Sequence, residues 1–403
     1  MGKPSSSAHR PGRAIEVFAA FLKLGLTSFG GPIAHLGYFR HEFVERRRWL
    51  DEAHYADLVA LCQFLPGPAS SQVGMALGLY RAGLAGAVAA WLAFTAPSAI
   101  AMVLFAYGVA QVGDLQQVAW LHGLKITAVV IVAQAVWTMG RSLCVGPMRI
   151  AIAAGAALLC LVAASAGSQL IAIALGGAAG AVWLSGDDPG GRTAALTAHY
   201  PLRWAGAALI TFAVLLSGLP LLAAATNSHV VDLIDSFYRT GSLVFGGGHV
   251  VLPLLQQEVV PQGWLSDDRF LAGYGAAQAV PGPLFTFAAY LGAAMTPSPN
   301  GVAGALICTI AIFLPSLLLV VGALPYWDRL RGQRRVRSVL YGINAAVVGV
   351  LLAALYDPVI KSAILGPRDA AIALVGILLL VVLRVPSWIV VLVCTGAAVL
   401  ARQ

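Results

Sequence analysis

Residues 21–81 read FLKLGLTSFGGPIAHLGYFRHEFVERRRWLDEAHYADLVALCQFLPGPASSQVGMALGLYR. Residues 237–295 read FYRTGSLVFGGGHVVLPLLQQEVVPQGWLSDDRFLAGYGAAQAVPGPLFTFAAYLGAAM. Laid on each other, the two stretches match at spaced landmarks. Lys23 falls on Arg239, Gly25 on Gly241, and Phe29-Gly30-Gly31 on Phe245-Gly246-Gly247. Glu42 falls on Glu258, Trp49-Leu50 on Trp264-Leu265, Gln63 on Gln278, and Pro66-Gly67-Pro68 on Pro281-Gly282-Pro283. Farther on, Gly83 and Gly86 fall on Gly301 and Gly304, and Pro97-Ser98 on Pro315-Ser316. Chance rarely keeps that many Gly, Pro and Trp residues in step, so the chain carries an internal duplication.

Outward from these stretches the chain is apolar. Of 403 residues, 59% are hydrophobic and 10% charged, against about 25% charged in soluble proteins. Apolar runs of about 18 or more residues recur, each long enough to cross a hydrocarbon core. The composition predicts an all-α polytopic membrane protein. The net charge of +8 sits mostly in short loops, where Lys and Arg set topology, and is no sign of a nucleic-acid partner. Five cysteines lie singly, without C-x-x-C or Cys/His spacing, so neither disulfides nor a metal centre nor any cofactor is expected. His35, His54 and His249 likewise lack metal-ligand spacing. The start, MGKPSSSAHRPGR, has no short apolar region with a cleavage site, so no removed signal is expected.

The expected domain order is a cytoplasmic tail over 1–14, a first membrane repeat over 15–185, a loop and linker helix over 186–229, and a second repeat over 230–403. Each repeat opens with two broken segments, at 15–40 and 55–80 and at 230–256 and 268–295. Two topologies fit. If every run crosses, there are about 13 crossings, and Arg46-Arg47-Arg48 falls outside, against the positive-inside rule. If the broken segments are re-entrant hairpins, about 9 crossings remain, the Arg46–Arg48 loop lies inside and the acidic loop around Glu258, Asp267 and Asp268 outside. The hairpins are preferred, since Phe-Gly-Gly-Pro and Pro-Gly-Pro suit tight tips. Either count puts an odd number of crossings between the halves, which makes them two inverted repeats with interrupted or re-entrant helices at the midplane.

Inverted repeats with broken helices are the build of secondary transporters, whose site lies where the breaks meet. Pro32 and Pro68 stand where half-helices restart, and a helix amino terminus offers free N–H groups to an anion. The predicted substrate-binding set is therefore Gly30, Gly31, Pro66, Gly67, Ser70 and Ser71 from the first half. From the second come Gly246, Gly247, His249, Gly282 and Thr286. Gln63 and Gln278, three residues before each Pro-Gly-Pro, join it as neutral donors. Lys23 and Arg239 join it as cations in apolar segments. Glu42 and Glu258 are candidate proton-coupling carboxylates, although Arg40 and Arg46 beside Glu42 suggest a solvated ion pair. Nothing in the sequence pairs a nucleophile with a base, so no enzyme is expected.

FGGP, a basic loop ending in WL, Q-x-x-PGP, and then a second FGG…WL…Q-x-x-PGP together resemble the chromate ion transporter (CHR) family. The resemblance runs from about Phe18 to the carboxyl end and matches the long, two-domain form. It implies a multi-pass protein of the cell inner membrane that exports chromate and confers chromate resistance. The motif residues carry over to Gly30, Gly31, Pro32, Pro66, Gly67 and Pro68. In the second half Gly248 and His249 follow the glycines in place of a proline, so the halves are not equivalent. Sulfate, also a tetrahedral dianion, remains the alternative substrate or a competitor. A homodimer is left open.

Overall fold

The computed structural model describes residues 11–111, 118–163, 167–185 and 200–401. The described residues form helices and no strand. The first ten residues and the polar loop 186–199 lie outside them. From Pro11 the chain is helical, so the expected tail over 1–14 overlaps the start of α1.

The first half contains α1 (Pro11–Thr27), α2 (Gly31–Arg40), α3 (Glu52–Phe64), α4 (Ala69–Ala110), α5 (Ala119–Leu143), α6 (Pro147–Ala163) and α7 (Ser168–Trp183). Helix α8 (Leu202–Ala225) links it to α9 (His229–Leu243), α10 (Val251–Val259), α11 (Asp267–Ala277), α12 (Phe287–Ala294) and α13 (Gly301–Ala323). Next come α14 (Trp327–Arg331), α15 (Arg334–Ala354), α16 (Lys361–Ala363), α17 (Pro367–Ile377) and α18 (Ser387–Ala401). Among the described residues, five helices are long and apolar enough to cross a membrane: α4, α5, α8, and those over 301–326 and 334–363. Helix α8 is apolar yet almost wholly uncovered, with Leu202, Ile210, Val214 and Leu221 exposed. An unsolvated apolar helix of that kind faces lipid.

The broken segments turn back. Phe21 on α1 stacks on Phe43 beyond α2 with ring centroids 4.8 Å apart, and Trp49 Nε1 donates to Glu16 Oε1 at 3.2 Å. Helix α1 and the limb after α2 therefore begin and end together. The α3–α4 pair returns to the same end, where Arg81 Nη2 donates to Glu16 Oε2 at 2.9 Å. There α4 bends sharply, because Ala82 and Gly83 leave helical geometry. Its short arm (69–81) and long arm (84–110) touch so closely that a Cβ on Gly78 would sit 2.2 Å from the Gly86 oxygen. The second half repeats the arrangement. The His229 and Trp264 rings are 4.8 Å apart, the Thr296 N–H donates to the Trp264 carbonyl at 3.0 Å, and Gly292 meets Gly304 as Gly78 meets Gly86.

The long arm of α4 and its repeat mate α13 run in opposite directions. Trp91 lies 5.9 Å from Phe313 between ring centroids, while Gly301, at the start of α13, lies against the Tyr107 hydroxyl near the end of α4. The last helices of each half pack on the other half. Helices α6 and α7 lie on α15, and α17 and α18 lie on α5. Small residues let these backbones approach where lipid supplies no hydrophobic drive.

Candidate functional site

The helix breaks of the two halves clasp each other. The Gly67 N–H donates to the Val244 carbonyl at 2.7 Å, and the Gly282 N–H donates to the Ser28 carbonyl at 2.9 Å. Ser28 and Val244 occupy matching repeat positions, as do Gly67 and Gly282. Gly67 lies against the Ser316 hydroxyl and Gly282 against that of Ser98. A Cβ on Gly248 of one Phe-Gly-Gly break would lie 3.8 Å from the Pro32 ring of the other. All four breaks thus converge, each Pro-Gly-Pro turn on the other half's Phe-Gly-Gly end. Ser98 and Ser316 were not singled out in the sequence, although the repeated Pro-Ser that carries them was visible.

The Phe-Gly-Gly break of the first half is the more open. Gly30 (φ 101°) caps α2 without a side-chain hydrogen bond, and Pro sits in its first positions. Gly31 (φ 79°) has open space where a Cβ would stand. The free N–H groups of the first turn of α2 therefore meet no capping side chain, an arrangement suited to an anion. Farther along, Gln72 Nε2 donates to the Pro66 carbonyl at 2.6 Å and holds the Pro-Gly-Pro turn. Ser70 and Ser71 are buried just beyond it, and the hydroxyls of Ser71 and Ser316 have no partner among the described residues.

The second-half breaks satisfy themselves. His249 Nδ1 shares a hydrogen bond of 2.8 Å with the Tyr274 hydroxyl. The Thr286 hydroxyl donates to the Pro283 carbonyl at 2.8 Å. Gly246 and Gly247 have positive φ and lie near Met139 of α5, Gly246 also near Asn344 of α15. Gln278 is half-buried and Gln63 is exposed. The Gln278 carbonyl accepts from Ser387 Oγ at 3.3 Å, and Trp388 lies 6.2 Å from Phe29. The first turn of α18 thereby joins the site, a contribution that no local motif signals.

The charged candidates sit on the hairpin limbs rather than at the tips. Lys23 is seven residues before Gly30, about 10 Å of helix. Its ammonium lies 3.6 Å from Glu42. The matching pair, Arg239 and Glu258, is 2.9 Å apart. Arg239 also reaches Asp235 at 3.0 Å, and the Ser236 hydroxyl donates to Glu258. Each cation candidate is thus paired with the coupling candidate of its own half. Glu42 is buried, its side chain 4% exposed, rather than solvated. It accepts from Arg46 at 2.9 Å and Arg47 at 2.7 Å. No group of three or more His, Cys, Asp or Glu residues among the described ones is placed to hold a metal.

Apolar helices too long and too uncovered for water define an all-α polytopic membrane protein. The family profile described as Chromate transporter matches residues 15–181 and 231–400. The chain belongs to the chromate transporter family. It is 28% identical over 349 residues to a Chromate transport protein of Pseudomonas aeruginosa, covering 85% of this chain and 80% of that one. It is 29% identical over 344 residues to a Probable chromate transport protein of Synechococcus elongatus, covering 83% and 81%. It is 27% identical over 372 residues to a Chromate transport protein of Cupriavidus metallidurans, covering 89% and 86%. No solved structure matches.

Proposed function

We propose that the protein carries chromate out of the cytoplasm across the inner membrane, as an inverted-repeat carrier that binds the dianion at the clasped helix breaks. The observation that carries this reading is the convergence of the breaks, together with the uncapped amino terminus of α2 at Gly31, where a Cβ would stand in open space. Opposed α4 and α13 support the inversion, and three relatives named as chromate transport proteins, one of them as probable, support the substrate. An inside-negative potential is worth about 2.3 kcal/mol per charge per 100 mV. A dianion gains roughly twice that on leaving, so export needs only a selective, gated path, helped by proton exchange through Glu42 and Glu258. Chromate resistance follows from such export.

The test is chromate uptake into inside-out vesicles with an imposed potential and increasing sulfate. Uptake that follows the potential and resists sulfate is expected. Equal inhibition by sulfate replaces chromate with a general oxyanion substrate. Uptake that persists unchanged with both the potential and the pH gradient collapsed overturns the driving force.

A further inference from the structure

The two halves cover a matching helix face unequally. Helix α11 presents Asp268, Leu271, Gly275 and Gln278 on one face, at helical spacing. Helix α5 covers that face. Leu271 and Gly275 are buried, and a Cβ on Gly275 would lie 2.2 Å from the Leu124 oxygen. Lys125 Nζ donates to Asp268 Oδ1 at 2.6 Å, with side chains only 10% and 26% exposed.

The matching face of α3 consists of Ala53, Ala56, Ala60 and Gln63, and all four are exposed. Its natural cover is α15, the repeat mate of α5. Gly342-Ile343-Asn344 falls on Gly123-Leu124-Lys125, and the mates pack alike, Gly123 against Thr395 of α18 and Gly342 against Gly176 and Gly180 of α7. Yet α3 makes no packing on α15 comparable with that of α11 on α5 among the described residues.

We infer that the open groove over the alanine face of α3 is the route by which the anion reaches the breaks from the end carrying Arg46–Arg48, and that Lys125–Asp268 holds the equivalent groove shut at the opposite end. Resting on the carrier reading above, transport exchanges the two. Helix α15 docks on α3, Ile343 meeting Ala60 as Leu124 meets Gly275, while α11 leaves α5. Three alanines permit that approach as a glycine does on α11. The lock is one-sided, because Ala53 and Asn344 replace the Asp and the Lys in the first-half groove. Its buried ammonium and half-buried carboxylate must part before the far groove opens, which sets a barrier that the near groove lacks.

Cysteine labelling with a membrane-impermeant thiol reagent, applied to membranes of each orientation, tests this. The wild-type chain, with three cysteines buried and two half-buried, supplies the background. Ala60→Cys labels readily from the Arg46–Arg48 side, and Leu271→Cys is protected from the other. Adding Asp268→Asn raises Leu271→Cys labelling roughly tenfold and slows that of Ala60→Cys, as a shifted two-state population requires. Exchanging the charges, Lys125→Asp with Asp268→Lys, restores protection. Equal protection of the two cysteines overturns the open groove, and this comparison needs no charge variant. Asp268→Asn labelling that is unchanged, or that rises at both cysteines together as in an unfolded chain, overturns the lock. Chromate flux read in the same vesicles separates a failure of the grooves from a failure of the carrier reading.

Discussion

Gly67 donates its N–H to the Val244 carbonyl across 2.7 Å, joining the second break of the first half to the first break of the second. The bond fixes Gly67 at φ 123°, with the Ser316 hydroxyl 2.5 Å and Gln72 Nε2 2.7 Å from where a Cβ would stand. Gly67→Ala thus combines backbone strain of about 1–3 kcal/mol with overpacking of about 1–3 kcal/mol. Gly31→Ala meets only the strain, about 1–2 kcal/mol, because its surroundings are open. Thermal unfolding in detergent and chromate flux separate them. Gly67→Ala loses stability and transport together, whereas Gly31→Ala keeps its fold and loses transport. A Gly31→Ala variant with full transport removes the α2 amino terminus from the site.

The two equivalent ion pairs differ in what a deletion leaves behind. Lys23→Gln leaves Glu42 with Arg46 and Arg47, and the Lys23 side chain is 56% exposed. Its stability cost is at most about 1 kcal/mol, as for exposed pairs. Arg239→Gln leaves Glu258 with the Ser236 hydroxyl, its side chain 18% exposed. That cost lies between the exposed value and the about 3–5 kcal/mol of a fully buried pair. Lys23→Gln is therefore the cleaner functional probe. Its transport falls with the fold intact, and unchanged flux takes Lys23 out of the binding set.

For Lys125 and Asp268 the sign of a double change differs from that of a single one. Asp268→Asn strands a buried ammonium and destabilises by about 2–4 kcal/mol, somewhat below the fully buried case because Asp268 is part-exposed. Lys125→Leu with Asp268→Leu removes both desolvated charges and recovers most of that loss. Melting temperatures of the single and double variants check it. A double variant worse than the single one shows that the pair stabilises beyond its desolvation.

Asp51 caps α3 by accepting the His54 N–H at 2.9 Å. That bond, followed by the one from the His54 ring, holds its carboxyl below the ordinary value of 3.8. A lowered folded value contributes stability above the unfolded pKa, and the contribution disappears as pH falls through the folded one. Asp51→Ala should therefore melt earlier than the natural chain at neutral pH. The gap should close as both are acidified below about pH 4. A gap that stays constant into acid shows that the carboxylate charge contributes nothing.

Much of this was legible in residue order. The repeated Gly, Pro and Trp landmarks established the duplication, because those residues resist replacement where backbone geometry is special. The same residues marked the four breaks, and α1/α2, α3/α4, α9/α10 and α11/α12 part there. Run length and charge composition sufficed for a helical membrane protein, since a bilayer admits few other solutions. The charged candidates were read less well. Lys23, Arg239, Glu42 and Glu258 were visible as costly residues, but their pairing on the limbs was not, because it depends on the hairpins closing. Lys125, near the start of an apolar run, carried no local sign of its pairing with Asp268.

By itself the sequence determined that two copies of one broken-helix unit lie in a membrane. Which copy touches which was decided only by the tertiary structure: Gly67 on Val244, α7 on α15, α5 covering α11 while α3 stays open. Hydropathy reports each residue's preference for lipid or water, and periodicity reports only neighbours along one helix. Contacts between helices in a bilayer come from close approach at small residues, and with 44 glycines in the chain composition cannot say which of them face one another.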